Sequence, residues 1–417
     1  MTEKIAIIGG GIAGLTAGYL LKDHYDVTLF EKDNRLGGNA YTLDTENGEE
    51  IDISIFFYSR LEYPNFCRLL SKLGIKSTTF PMEGLSQSFH ELSGGQDYYL
   101  SCDPKRLSSF FSFRNFKSLM YQAGVLWNYQ KGIRLSKKGK FKGLTLSESL
   151  ELLPGLRGDK LKLAIFPICI MTSMVWNDIM DAPAEFVFNK IEKQCGTPRK
   201  FISWRLYPCK TREYVDRMAE TFKDNIRLES EVTSISRGDT SVTVKLNKDE
   251  SLKFDKVIFA CPADTALSML EKPTSDEERL LGPWKYNDGL VVVHKDTSNY
   301  PPEKEWGMYG YLYSGDDEDL NMSINAYYRF QKDVPENSAY IGIQHPNIEI
   351  DKDLIEFQQV FRTPLYDEES CASIKELPLL NGKLNSYFCG SHFGYGLHED
   401  AITSAIDVGK MLGAQWK

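Results

Sequence analysis

Three stretches of this 417-residue chain predict an α/β fold, in which a parallel-sheet domain is interleaved with an α+β domain and a helical insertion. The first is a short apolar strand that runs into a glycine-rich turn and a helix within the first twenty residues. The second is a strand-rich return ending in the apolar run Val257–Ala260. The third is a strand, glycine and helix near the C-terminus. This order predicts residues 1–60, 221–270 and 376–417 in the parallel-sheet domain, with 61–220 and 271–375 outside it.

The N-terminal stretch carries the most specific chemistry. Ile5–Ile8 suits a buried parallel strand, and Gly9, Gly11 and Gly14 then give a G-x-G-x-x-G spacing. In a Rossmann-type turn, Gly9 permits the tight bend and Gly11 lets the backbone approach a pyrophosphate. Gly14 lets the helix pack close to the strand. The helix N-terminus, at Ile12 and Ala13, offers free N–H groups and a positive dipole end to phosphates. A second strand, "DVTLFEK", brings Glu31, followed by Lys32, to where an acid accepts ribose hydroxyls. Strand, glycines, helix, strand and acid in register predict a dinucleotide site.

Bulk properties narrow the class. The net charge of −9 argues against a general nucleic-acid binder. Eight scattered cysteines without C-x-x-C spacing fit a reducing compartment. The N-terminus reads straight into a strand without a signal-peptide pattern. In the middle of the chain, the uncharged apolar stretch at residues 163–176 contains Pro167 and is too short to span a bilayer. The expectation is a cytoplasmic protein, either free or peripheral to the inner face of a membrane. His392, His398, Glu399 and Asp400 are of metal-ligand type. They lack the spacing of an H-E-x-x-H helix and a further histidine cluster to complete a set, so no metal is expected.

Residues 104–146 hold ten Lys or Arg and no acid, so the rest of the chain carries the negative excess. Phe110, Phe111, Phe113 and Phe116 are interleaved with the first four charges, and Leu119, Trp127 and Tyr129 follow. This stretch, basic from 105 to 142, reads either as a solvated helix pair or as a dock for an anionic membrane surface or an acidic acyl carrier protein. Residues 144–223 are helical in texture, with proline breaks, and read as a cover for a substrate pocket.

With Gly37, Gly38 and Asn39 close behind the acid, the N-terminus resembles the FAD-dependent amine oxidase and protoporphyrinogen oxidase-like superfamily. There, the same sequence wraps FAD. Asn39 stands where that family has Arg, Ser54 where its D-x-G segment has Gly, and Ser391 where its closing motif has an acid. The resemblance implies a Rossmann-type FAD-binding domain, with Val232 near the adenine and Ala260 bordering the cofactor. It also implies that "FCGSHFGYGLHEDAITSAI" closes the site through Gly390, Ser391 and a helix starting near Glu399, Asp400 and Ala401. Dispersed blocks from 4 to 412 are similar to a bacterial branch associated with cyclopropane fatty acid synthases and lipid methyltransferases. That likeness implies dehydrogenation of a long acyl chain of a lipid or acyl-carrier substrate, and a possible methyltransferase partner. Amine or natural-product oxidation, double-bond isomerisation and a non-catalytic flavoprotein stand as alternatives. His398, Tyr395, His294 and His392 are the candidate acid/base groups, His398 and Tyr395 foremost.

Overall fold

The computed structural model describes residues 2–54, 56–76, 86–95, 97–101, 113–201, 203–247, 250–317 and 319–416. A five-stranded, all-parallel sheet forms its nucleotide-binding half, in the order Ser386–Phe388, Lys256–Phe259, Lys4–Ile8, Asp26–Phe30 and Ile226–Arg227. These strands are apolar because both faces are covered. Ile5, Ile7, Val27, Leu29 and Ile258 are fully buried. The first helix, Ile12–Leu21, packs against the last, His398–Met411, which starts one residue ahead of the expected Glu399. Ser404 on that last helix accepts the Gly390 N–H at 2.9 Å, tying helix to strand end.

A separate antiparallel sheet, Val232–Arg237, Val242–Leu246 and Ser251–Phe254, hangs beside the parallel one. Arg237 and Glu277, both almost wholly buried, pair to fasten it to the helix Ser275–Leu281. Breaking such a pair typically costs about 3–5 kcal/mol, since it leaves a buried charge uncompensated.

The second half is built on a seven-stranded sheet in the order 355–365, 285–294, 341–344, 321–327, 309–314, 86–91 and 98–101. Its last two strands come from the first half of the chain, so the sheet joins segments on both sides of the strand-rich return. Helices Phe113–Lys137, Asp159–Thr172 and Ala184–Cys195 form the insertion and pack on one another. Phe166 from the middle helix stacks on Phe89 and packs against Tyr311 of the sheet at 5.9 and 5.1 Å between ring centres. All three rings are buried, and truncating one such Phe to Ala costs roughly 3–5 kcal/mol.

Of the basic aromatic stretch, Lys105, Arg106, Phe110 and Phe111 lie outside the described residues, as do the side chains of Phe113, Arg114, Phe116 and Lys117. No helix among the described residues is long and apolar enough to cross a membrane.

Candidate active site

A cavity of about 420 Å³ runs between the two halves, from the glycine turn to the inner face of the seven-stranded sheet. At its nucleotide end, Gly9 has φ of 109°, and a side-chain carbon there would stand 2.7 Å from the Ala260 carbonyl oxygen. Gly14 is tighter still, its missing Cβ falling 1.9 Å from the Gly9 carbonyl oxygen. Gly11 differs from both. Its φ is an ordinary −71°, yet a Cβ there would meet nothing within 4 Å. That open space is the cavity itself, lined by Gly11, Ile12 and Ala13. No side chain caps the helix and no acid stands in its first turn, so its N-terminal N–H groups and dipole face the space. A pyrophosphate fits there on chemistry alone.

Glu31 ends the second strand and is 8% exposed. Its carboxylate accepts the Gly10 N–H at 2.6 Å and the Asp33 N–H at 3.0 Å, which holds it behind the turn. Each carboxylate oxygen has further lone-pair capacity for a ribose hydroxyl. Lys32 points to solvent. Gly37 donates to the Gly10 carbonyl at 2.9 Å, and Gly38, at φ 59°, lies so close that its Cβ would be 3.2 Å from the Gly11 Cα. Arg35, which the sequence reading passed over, braces this loop by donating to the Gly38 carbonyl at 2.9 Å, with its guanidinium over the Tyr41 ring. Asn39 sits at the cavity mouth. It donates to the Arg362 carbonyl at 2.9 Å, and its own carbonyl accepts the Ser54 hydroxyl. Ala260 lines the cavity, whereas Val232 opens the separate three-stranded sheet outside the lining. Ser230, two residues before it, donates to the Glu31 carbonyl at 2.8 Å.

The closing motif divides its residues between lining and bracing. Gly390, Ser391, His392, Gly396, Leu397, His398 and Ala401 line the cavity. Glu399 turns away and accepts the backbone N–H groups of Asn65 and Phe66, both at 2.9 Å, at the start of the helix Pro64–Lys72. Asp400 folds back onto its own loop, accepting from the Tyr395 and Leu397 N–H groups at 2.9 and 3.0 Å. Tyr395 also leaves the cavity, stacking on Phe186 of the insertion at 5.6 Å. His398 donates or accepts with the Tyr214 hydroxyl at 3.2 Å and packs edge-on against Phe66. Burial without an ionic partner pushes His398 down to about 3. His392, against Trp284, is pushed down to about 4 by burial, against the attraction of Asp264. Both rings are neutral near pH 7.

His294 falls elsewhere. Strand positions alternate between faces, and the cavity face of the sheet carries Val291, Ile324, Ala326, Gly342 and Gln344. His294 is on the other face, bonded to Tyr300, whose hydroxyl donates to Asn325. It is a fully buried core histidine behind the sheet, remote from any group it could serve as acid or base.

The substrate end is apolar and aromatic, with Phe56, Phe57, Ile170, Met171, Tyr309 and Phe361 among its walls. Among the described residues, two buried polar atoms there lack a partner, the Tyr328 hydroxyl and the side-chain amide oxygen of Gln194. Among the described residues the cavity lining contains no Asp or Glu. Arg362, a cation in that lining, is paired with Asp264 at 2.6 Å and Asp288 at 3.2 Å. Gln194, Trp204 and Tyr328 carry no sequence signal that separates them from ordinary core residues. Among the described residues no cluster of three or more His, Cys, Asp or Glu could hold a metal.

Comparison with known proteins agrees with this geometry. The sequence signature of the flavin containing amine oxidoreductase family matches residues 12–294. Flavin-containing amine oxidase A of Bos taurus is 21% identical over 290 residues, 66% of this chain and 52% of that protein. Human flavin-containing amine oxidase B is 22% identical over 284 residues, 64% of this chain and 52% of its own length. The matched region thus spans about half the length of these curated relatives. Among solved structures, a CLA-producing fatty acid isomerase from P. acnes superposes with a TM-score of 0.68 at 16% identity, over 99% of both chains. Cyclohexylamine oxidase from Brevibacterium oxydans superposes at 0.67 and 13% identity, over 99% of this chain and 100% of its own. These likenesses show a shared fold.

Proposed function

The chain belongs to the flavin containing amine oxidoreductase family, whose cofactor is FAD, and on that premise we propose that it oxidises a long apolar acyl chain. The pyrophosphate would lie against Gly11, Ile12 and Ala13, the ribose against Glu31, and the closing residues Ser391 to Ala401 would face the far end of the cofactor. Bound FAD supplies a two-electron acceptor.

One observation carries the choice of substrate. The walls beyond the cofactor end are aliphatic and aromatic, and among the described residues no carboxylate lines them to meet an ammonium group. Burying a cation without a partner costs several kcal/mol, whereas an acyl chain gains about 0.8 kcal/mol per buried CH₂. The residues bind and align the chain and exclude water from it. Tyr328 and Gln194 offer the unpaired polar atoms that would fix its register, through an oxygen-bearing group of the substrate.

The first reading is net desaturation of an acyl lipid or acyl-carrier substrate. A second reading, redox-neutral migration of a double bond, rests on the weakness of the bases present. Desaturation must lose a proton as well as a hydride. His392 and His398, held at about 4 and 3, are poor acceptors for it. Isomerisation returns what it takes and needs no such base. The solved isomerase that shares this fold acts, by its title, on a fatty acid.

Anaerobic mixing of the holoenzyme with fatty acyl substrates and with primary amines decides between these. Desaturation bleaches the flavin band with acyl substrates alone. Isomerisation yields a shifted double bond without net bleaching. Bleaching by amines, with acyl chains inert, would overturn the proposal.

A further inference from the structure

The outer face of the helix Phe113–Lys137 carries two kinds of residue in sequence along one stripe. Met120, Leu126 and Trp127 are 61%, 60% and 69% exposed, with Ala123 exposed between them. Among the other described large hydrophobic residues, Leu379 matches Leu126 at 60% and none is more exposed. Steps of three and four residues then continue the stripe from Trp127 through Lys131 and Arg134 to Lys137 and Lys138. Lys140 and Lys142 extend it past the helix end.

The opposite face is spent on the fold. Val125, Tyr129 and Ile133 are buried, and Tyr129 bonds the Ala164 carbonyl of the helix Asp159–Thr172. Exposure of the stripe is therefore not a register error; the helix has one face for the core and one left over. Of its cations, Lys137 pairs with Glu192 and Lys131 donates to the Leu152 carbonyl at 2.7 Å. Arg134, Lys138, Lys140 and Lys142 form no ion pair among the described residues. They stand on a chain whose net charge is −9.

We propose that this face docks on an anionic phospholipid bilayer. Charge complementarity selects the occupant: an acid-free basic stripe on an acidic protein has favourable field only toward a negative surface. The aromatic end selects a lipid surface over a soluble polyanion. A Trp with flanking Leu and Met gains by entering the headgroup and acyl boundary, while the cations stay at phosphate level. The helix is not apolar enough to span, so it lies in the interface. The geometry also connects the face to the cavity. The helix packs on the two insertion helices that supply Ile170, Met171 and Gln194 to the lining.

This assignment does not depend on the redox reading, because vesicle binding is measured without turnover. The test uses the holoenzyme and sedimentation with vesicles of phosphatidylcholine, with and without phosphatidylglycerol. Wild type should bind the anionic vesicles and not the neutral ones. Brominated acyl chains should quench part of its fluorescence, and that part should vanish in Trp127→Phe. Combined Arg134→Glu, Lys138→Glu and Lys140→Glu should weaken binding by about a hundredfold or more, since each basic residue contributes about fivefold. Flavin absorbance and melting temperature serve as folding controls. Equal binding to both vesicle types, or binding unchanged in the triple variant, would overturn the proposal. So would binding to an acidic carrier protein instead of vesicles, or a dimer that the triple variant dissolves.

Discussion

The ammonium of Lys190 donates to the carbonyl oxygen of Tyr395 at 2.7 Å, joining the helical insertion to the closing loop of the cofactor site. Lys190 is 2% exposed. Burial pushes it down to about 7, against the attraction of Asp400 and with added repulsion from Lys193. The loop so held carries Gly396 and Leu397 into the cavity wall, so a side chain outside the cavity sets the position of residues inside it.

The pH dependence follows from that burial. Between the folded value near 7 and the ordinary 10.5, the unfolded chain holds a proton on Lys190 that the folded chain has released. Stability contributed by this group therefore rises with pH across that window and carries its full penalty below pH 7. Lys190→Met should flatten the slope of melting temperature against pH between 7 and 10, measured by calorimetry on the holoenzyme. A slope identical to wild type would show that Lys190 does not titrate there.

The two cavity histidines act in the opposite half of the pH range. An unfolded chain protonates both as pH falls through about 6.5, while folded His392 and His398 stay neutral to about 4 and 3. Stability should drop as pH falls from 6.5 toward 4. His398→Phe keeps an aromatic ring against Phe66 and removes one of the two protons involved. Its melting temperature should fall less steeply with acid than that of wild type.

Gly11→Ala tests the cofactor site without testing the fold. The backbone at Gly11 suits alanine and the Cβ enters open space. The variant should fold with the melting temperature of the apoprotein, yet lose FAD affinity by on the order of a hundredfold, about 3 kcal/mol, in a titration of apoprotein. Gly14→Ala, whose Cβ would stand 1.9 Å from the Gly9 carbonyl oxygen, should fail at folding itself.

Glu399→Gln separates bracing from lining. It keeps the shape and removes the charge from two hydrogen bonds to Asn65 and Phe66. A loss of roughly 1–2 kcal/mol in chemical denaturation is expected, with the flavin absorption spectrum unchanged because the carboxylate faces away from the cavity.

The glycine turn was legible in the sequence because each glycine answers a local demand. The closing motif was legible as a unit for the same reason, a strand, a turn and a helix with small residues. Which way its side chains point was not. Glu399 and Tyr395 face other elements, and only the packing of helices Pro64–Lys72 and Ala184–Cys195 decides that. His294 shows the limit most sharply. In "LVVVH" every residue is apolar or buried, so no alternation marks the cavity face, and a one-residue difference sends the imidazole behind the sheet. Gln194 and Tyr328 were silent because a helix glutamine and a tyrosine just past a strand end are ordinary until the space beside them is seen.

The edge strand Ser386–Phe388 and the helix after it also set an order of events during synthesis. Until residue 388 has left the ribosome, Lys256–Phe259 lacks its outer neighbour, and until residue 411 has done so the first helix lacks the full helix it packs on. The glycine turn, made earlier, waits for this later segment before it has a floor. A nascent chain halted anywhere before that point would carry the whole pyrophosphate cradle and still be colourless.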